Sequence, residues 1–180
     1  MILKSIIFIF TILSFWFKTN QTDQFLLPQE FYEINIGKST EKEVQKIIGK
    51  PSERNEITKN ACHKIKIPTV MYFQYEDKKI EMMFRRKNKK SDYILQTVFF
   101  LEGSSVKFGG NISIGTSTRE DIFKRFGKPK DYLEGSQYIF YYSDATKNHF
   151  TFLTDEKGKL IRVTMCKNEN CLWIYLRMRK

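Results

Sequence analysis

Histidine and cysteine are scarce in this chain of 180 residues, which has two histidines and three cysteines. A metal site needs several ligands at a fixed spacing, and Cys62, His63 and His149 do not supply such a set. The chain also lacks a G-x-S-x-G elbow, an H-E-x-x-H pair, a P-loop and the dinucleotide glycine pattern. We therefore expect no catalytic site, no metal and no cofactor, and a protein that is not an enzyme.

The three cysteines fit an exported protein with one disulfide bond and one remaining thiol. Cys166 and Cys171 enclose a polar stretch that suits a hairpin turn. A bridge between them would close a short loop, so it would contribute at the low end of about 2–4 kcal/mol. Cys62 has no evident partner in this scheme.

The N-terminal residues have the pattern of a targeting segment. A short positive start with Lys4 precedes an apolar run at residues 6–17, and polar residues follow from Lys18. A membrane-spanning helix needs about 20 apolar residues, whereas the apolar core of a secretory signal is shorter. We interpret residues 1–22 as a signal peptide or a short membrane anchor. The expected location is periplasmic or secreted, or tethered to the membrane if the leader is not cleaved.

An 18-residue segment occurs twice. Residues 34–51 and 112–129 align without a gap, and 9 of the 18 positions are identical. The matching residues mark the two ends of a short helix. Thr40 and Thr118 can cap its start, and Gly49 and Gly127 suit its end. Such a repeat indicates two copies of one structural unit and favours binding over catalysis.

Each repeated segment is followed by extended stretches rich in β-branched and aromatic residues. The expected strands are residues 70–76, 79–85 and 93–101 after the first copy, and 137–143, 149–154, 160–165 and 172–176 after the second. The predicted fold class is α+β, with two tandem units that each pack a short helix on an antiparallel β-meander, their sheets side by side. The predicted divisions are residues 23–102, a linker at 103–110, and residues 111–180.

Period-two alternation assigns residues to the two faces of these sheets. Met71, Phe73 and Tyr75 are expected beneath the helices, with Tyr138, Phe140 and Tyr142. The opposite face is expected to carry Tyr72, Gln74, Ile139 and Tyr141 and, if the later strands keep register, also His149, Thr151, Arg162 and Thr164. Because Tyr and Arg are favoured anchors in protein interfaces, we predict protein-binding residues among Tyr72, Gln74, Tyr141, His149 and Arg162. The same residues are also typical of ordinary cross-strand pairs on a solvated sheet.

The repeated Ile-x-Ile-Gly-x-Ser-Thr…Gly-Lys-Pro segment resembles the repeat of the β-lactamase inhibitor protein superfamily. That superfamily also contains the small lipoprotein of the outer-membrane β-barrel assembly machinery. The resemblance spans residues 31–166, and it implies two units whose sheets form a concave face that grips a partner protein. No functional residue is carried over, because the matching positions shape the helix and its turns. The chain lacks the lipidated cysteine of the assembly lipoprotein.

The formal net charge is +11, which favours anionic partners. Five positive charges fall within residues 85–90: Arg85, Arg86, Lys87, Lys89 and Lys90. Our first hypothesis is an exported, non-enzymatic module that binds another protein through the sheet face. The alternative is a basic envelope protein that contacts lipid head groups or acidic polymer through residues 85–90. Export makes nucleic acid the least favoured partner. A solvated hairpin tip that blunts edge pairing is the simpler explanation of these charges.

Overall fold

Strands dominate the computed structural model, which describes residues 31, 33–57, 70–129, 131–132, 137–143 and 148–167. The helices in this part of the chain are α1 (Glu41–Ile48) and α2 (Arg119–Phe126). The strands are β1 (Glu53–Ile57), β2 (Val70–Tyr75), β3 (Ile80–Arg85), β4 (Ile94–Leu101), β5 (Lys107–Phe108), β6 (Ile112–Ser113), β7 (Asp131–Tyr132), β8 (Tyr138–Ser143), β9 (Asn148–Thr154) and β10 (Leu160–Cys166).

Six strands lie where the sequence predicts them, within one residue at either end: β2, β3, β4, β8, β9 and β10. The sequence pattern does not predict β1, β7 or the short β5–β6 pair. The last predicted strand, residues 172–176, lies outside the described residues, as do the leader at residues 1–22, Cys62 and Cys171.

The predicted architecture of two tandem helix-on-meander units was wrong. The described part of the chain is mostly antiparallel β-sheet, with an eight-stranded sheet in the order β1-β2-β3-β4-β10-β9-β8-β7 and a two-stranded sheet of β5 and β6. The two helices of the described chain have only 8 residues each. The physical reason is at the centre, where β4 and β10 pair from Leu101 with Arg162 to Thr97 with Cys166. An unpaired strand edge is a liability, and this pairing removes two of them by making one sheet.

Both helices begin with a complete capping box. The Thr40 backbone N–H donates to the Glu43 carboxylate over 2.8 Å, and the Glu43 N–H donates back to the Thr40 hydroxyl over 3.3 Å. Thr118 and Asp121 make the same reciprocal pair at 2.8 and 3.3 Å, so the shorter Asp side chain completes the box as well. These pairs satisfy backbone donors that a helix start leaves open.

The two repeated segments attach to the sheet through equivalent backbone hydrogen bonds. Gly37 donates to the Leu95 carbonyl and Gly115 donates to the Leu160 carbonyl, both over 2.7 Å. The N–H groups of Leu95 and Leu160 donate in turn to the carbonyls of Ser39 and Ser117. Each helix is therefore fixed at its start to one of the two central strands, β4 or β10. A short helix needs such tertiary support, since it is marginal on its own.

One apolar core lies between the large sheet and the two helices. Val44 of α1 and Ile122 of α2 are fully buried in it. Aromatic rings fill the middle, where Phe100 meets Phe108 edge-on at a centroid distance of 5.1 Å. Phe108 belongs to β5, so the segment at residues 103–110, predicted as a linker, supplies core side chains.

Candidate functional site

The large sheet has a second face, opposite the two helices, and this face is the predicted binding surface. Burial alternates along β2, so that Tyr72 and Gln74 lie on the second face and are partly exposed. The antiparallel register pairs Tyr72 with Met83 and Gln74 with Glu81. Directly paired residues share a face, so the predicted placement of Tyr72 and Gln74 is confirmed.

A small apolar cluster occupies the second face, separate from the main core. Met83 and Phe99 are its buried members, and Val70, Tyr72 and Leu101 pack against them while partly exposed. The Tyr72 hydroxyl donates a hydrogen bond to the sulfur of Met83 over 3.5 Å. The second face therefore combines an apolar patch with an amphipathic tyrosine.

Two further predicted residues lie on this face, at β9 and β10. Arg162 pairs with Leu101 of β4 and with Leu153 of β9, and His149 pairs with Cys166. Both Arg162 and His149 are partly exposed. Their predicted placement is confirmed, whereas a role in binding stays a prediction.

The face prediction for β8 was wrong by one residue. Ile139 pairs with Phe152 and is fully buried in the main core, not on the second face. Position 141 pairs with Phe150, another core residue, so the predicted binding residue Tyr141 belongs to the core-facing register. The cause lies in the strand sequence Tyr-Ile-Phe-Tyr-Tyr-Ser, which is apolar or aromatic at five successive positions. Without alternation, the hydrophobic pattern does not specify the register.

The centre of the second face is buried. Thr97, Phe99 and Cys166 have no exposed surface, and Thr151 and Thr164 are exposed by 2% and 4%. The surface that a partner can reach therefore lies at the margins, around Tyr72, Gln74 and Arg85 on one side and around Arg162 and His149 on the other.

The basic segment (residues 85–90) comprises the end of β3 and the turn that follows. Asn88 organises this turn, because its side-chain oxygen accepts hydrogen bonds from the N–H groups of Lys90 and Ser91 over 2.9 and 3.0 Å. The Asn88 N–H donates to the Ser91 hydroxyl over 2.9 Å. Such a turn is held by its own side chains. The exposed cations, which make no ion pair within the described part of the chain, are Arg85, Lys87, Lys89 and Lys90.

Arg86 differs from the other cations of the basic segment. Its guanidinium forms an ion pair with Glu56 at 2.9 Å and lies over the ring of Tyr93. Burial, followed by the neighbouring Glu56 carboxylate, raises the pKa of Tyr93 to about 12. Arg86 is thus held in a structural contact with β1 and with the start of β4, so this predicted anion-binding residue is already engaged.

Cys166 is a buried thiol, and the structure contains no disulfide among the residues that it describes. Cys171 lies outside those residues, so the predicted bridge between Cys166 and Cys171 stays a prediction. Across the described ranges, no three His, Cys, Asp or Glu side chains come together as metal ligands.

An open cleft of about 680 Å³ lies beside α1, where Glu33, Lys38, Glu43 and Lys46 contribute to its walls. Its polar groups already serve the local fold, since Glu43 caps α1 and the nearby Ser39 hydroxyl accepts a hydrogen bond from the Asn35 N–H. The walls carry charges of both signs, and some of their polar groups are already hydrogen-bonded within the fold. The cleft therefore does not indicate a particular class of ligand. None of the helices in the described residues is long and apolar enough to cross a membrane.

No protein-family model matches the chain, and no curated protein matches it. Among solved structures, a DUF4309 family protein (YjgB) from Bacillus subtilis has 16% sequence identity over 83% of this chain and 92% of its own, with a TM-score of 0.48. A cysteine-rich secretory protein from Staphylococcus aureus has 15% identity over 73% of this chain and 44% of its own, with a TM-score of 0.42. Similarity at this level carries no argument about fold or function.

Proposed function

We propose that this chain is an exported, non-enzymatic module that binds another protein through the margin of the second face formed by β2 and β3. One observation supports the proposal most directly. Val70 and Tyr72 are partly exposed over the buried pair Met83 and Phe99, in a cluster that is separate from the helix-packed core. The apolar surface on this margin is therefore not needed to hold the helices.

The composition of this margin suits a protein partner. Tyrosine and arginine are enriched among residues whose truncation costs the most binding energy, and Tyr72 and Arg85 both lie here. Around them, Gln74 and Glu81 provide polar groups for the rim of an interface, where hydrogen bonds give specificity. Tyr72 already contacts Met83 in the free protein, which reduces the side-chain entropy that would be lost on binding.

The proposal includes a location outside the cytoplasm, which is inferred from the N-terminal leader. The positive start and the apolar run at residues 6–17 favour export to the periplasm or the medium, or tethering at the membrane surface. The partner we propose is thus a protein outside the cytoplasm with an exposed apolar patch.

The test begins with capture of partners from envelope and medium extracts at high salt, followed by titration of the identified protein with variants. We expect Tyr72→Ala to weaken binding about 10-fold or more, since a central aromatic anchor is worth about 2 kcal/mol. Gln74→Ala should weaken it by a smaller factor. Gln45→Ala is the matched control, because Gln45 lies on α1, on the other side of the sheet.

Equal affinity of Tyr72→Ala and wild type for every captured protein would refute this role for the second face. A loss of the same size in Gln45→Ala would do so as well, because that variant leaves the second face unchanged.

A further inference from the structure

The basic segment supports a second proposal, which shares only Arg85 with the second-face margin. The structure divides its five cations into two groups. Arg86 is committed to Glu56 and Tyr93, whereas Arg85, Lys87, Lys89 and Lys90 are exposed. The end of β3 contributes one exposed cation, Arg85, and the turn contributes three lysines. These four positive charges, with no carboxylate paired to them in the described chain, repel each other. A negative partner would relieve this repulsion.

The tip is also ordered before any partner arrives. The side chains of Asn88 and Ser91 close the turn through hydrogen bonds of 2.9 to 3.0 Å. At the base of the loop, Arg86, which directly follows β3, lies over Tyr93, which directly precedes β4. This contact holds the two ends of the loop together. Such preorganisation lowers the entropic cost of contact, so the cations are presented at fixed backbone positions.

The type of cation indicates the type of anion. Three of the four exposed cations are lysines, which act as strongly hydrated point charges and lack the planar fork with which arginine recognises a single phosphate. The one arginine inside the turn, Arg86, is occupied. The described cleft lies elsewhere, beside α1. A protruding tip with several point charges fits an extended anionic surface better than a single small ligand or the edges of nucleic acid bases.

We propose that the basic segment docks the protein onto the surface of a phospholipid bilayer that carries anionic head groups. Lysines near such a surface each strengthen binding through its negative potential, and the contact weakens as salt screens that potential. The apolar run at residues 6–17 already predicts that the chain meets a membrane during export. The basic segment would then hold the folded domain against the lipid surface with the tip of the β3–β4 hairpin towards it.

The test measures binding of the full chain to two kinds of vesicle, phosphatidylcholine alone and an equal mixture with phosphatidylglycerol. The variant K87Q/K89Q/K90Q removes the three lysines of the tip. The matched control K107Q/K128Q/K157Q removes three exposed lysines from outside the segment, so both variants lower the net charge equally. All proteins keep the same leader, so its contribution to binding at each vesicle type cancels when the variants are compared with wild type.

We expect wild type and control to prefer the mixed vesicles and the tip variant to lose that preference. Each lysine changes the binding constant about 5-fold near an anionic leaflet, so three should change it about 100-fold at low salt. High salt should remove the difference. Urea unfolding of both variants checks that each is folded, as expected for exposed positions.

Three results would overturn the proposal: equal binding of wild type to both vesicles, equal losses in the tip variant and the control, or a preference of the same tip for another polyanion. The last is measured by competition with duplex DNA and with polyglutamate at the same ionic strength. If duplex DNA or polyglutamate displaces the protein from mixed vesicles at a lower concentration of negative charge than the lipid supplies, the preferred partner of the tip is that polymer and not the bilayer.

Discussion

The guanidinium of Arg86 lies over the ring of Tyr93, with its central carbon 4.6 Å from the ring centroid. Arg86 follows β3 directly and Tyr93 directly precedes β4, so this contact closes the base of the hairpin that carries the basic segment. Glu56 of β1 completes the arrangement through its ion pair with Arg86. A contact between two strand ends thus connects the edge of the sheet to its most positively charged tip.

Replacing Arg86 with Ala should lower the free energy of unfolding by about 0.5–2 kcal/mol. A partly exposed ion pair contributes about 0–1 kcal/mol and a cation–π contact about 0.5–1 kcal/mol. Arg85→Ala is the matched control, because exposed Arg85 has neither contact, and it should change stability by less than about 0.5 kcal/mol. Urea unfolding of both variants measures the difference, and equal losses would show that the Arg86 contacts do not stabilise the fold.

Loss of either helix cap should destabilise the protein. Thr40→Ala and Thr118→Ala each remove a hydroxyl that accepts a hydrogen bond from a backbone N–H in the first turn, which costs about 1 kcal/mol. The control Thr40→Ser keeps the hydroxyl and should retain most of the stability. Chemical unfolding would contradict this prediction if the Ser and Ala variants at position 40 were equally stable.

Alanine substitutions at two adjacent glycines should have different costs. Gly109 and Gly110 both have positive φ angles, +56° and +86°, so a side chain is strained at either. That strain costs about 1–2 kcal/mol. A Cβ on Gly109 would also lie 2.7 Å from Arg125 Nε and 2.8 Å from the Phe126 ring, whereas one on Gly110 would meet nothing within 4 Å.

We therefore expect Gly109→Ala to be more destabilising than Gly110→Ala by about 1–3 kcal/mol, the usual cost of overpacking. Thermal unfolding of the two variants side by side measures this difference. A Gly110→Ala variant as unstable as Gly109→Ala would argue against crowding as the cause.

Stability should fall in the alkaline range because two buried tyrosines resist ionisation. Burial raises the pKa of Tyr75 from 10.0 to about 12, and Tyr93 has the same raised value. Between pH 10 and about pH 12, both tyrosines lose their protons in the unfolded chain but keep them in the folded protein. The free energy of unfolding therefore decreases as pH rises. Below pH 10 both states are protonated, and these two groups add no pH dependence.

Tyr75→Phe separates the contribution of one phenol. The variant should show a shallower decrease above pH 10 and lose about 1 kcal/mol at neutral pH. The neutral-pH loss follows because the hydroxyl donates to the Gly49 carbonyl over 3.2 Å. Urea midpoints from neutral to alkaline pH measure both effects. If the stability of Tyr75→Phe fell as steeply with pH above pH 10 as that of wild type, ionisation of Tyr75 would not cause the alkaline loss.

Local structure could be predicted from the sequence because the determining residues are neighbours in the chain. Thr40 with Glu43 and Gly49 marks both ends of α1, and the copy with Thr118 marks α2. In β2 the alternation of buried and partly exposed residues follows the sequence pattern, so Tyr72 was placed on the correct face.

Long-range pairing could not be predicted in the same way. Nothing in the composition of β4 or β10 specifies that their edges meet, because both are buried strands that could also have ended separate sheets. In β8, five apolar or aromatic residues in a row leave the register open, and Ile139 was placed on the wrong face. The engagement of Arg86 was also missed, since Glu56 and Tyr93 come from other elements.

The central place of β10 bears on how the chain is synthesised. Its partners on β4 lie between 61 and 69 residues earlier in the chain, and contacts at such separation form slowly. Until residues 160–166 leave the ribosome, β10 cannot pair with β4. The backbone edge of β4 around Val98 and Phe100 stays open during this time. An edge of this kind templates pairing with other chains. Aggregation of the nascent chain should therefore peak just before β10 emerges, and a holding chaperone that keeps β4 extended until then would protect it.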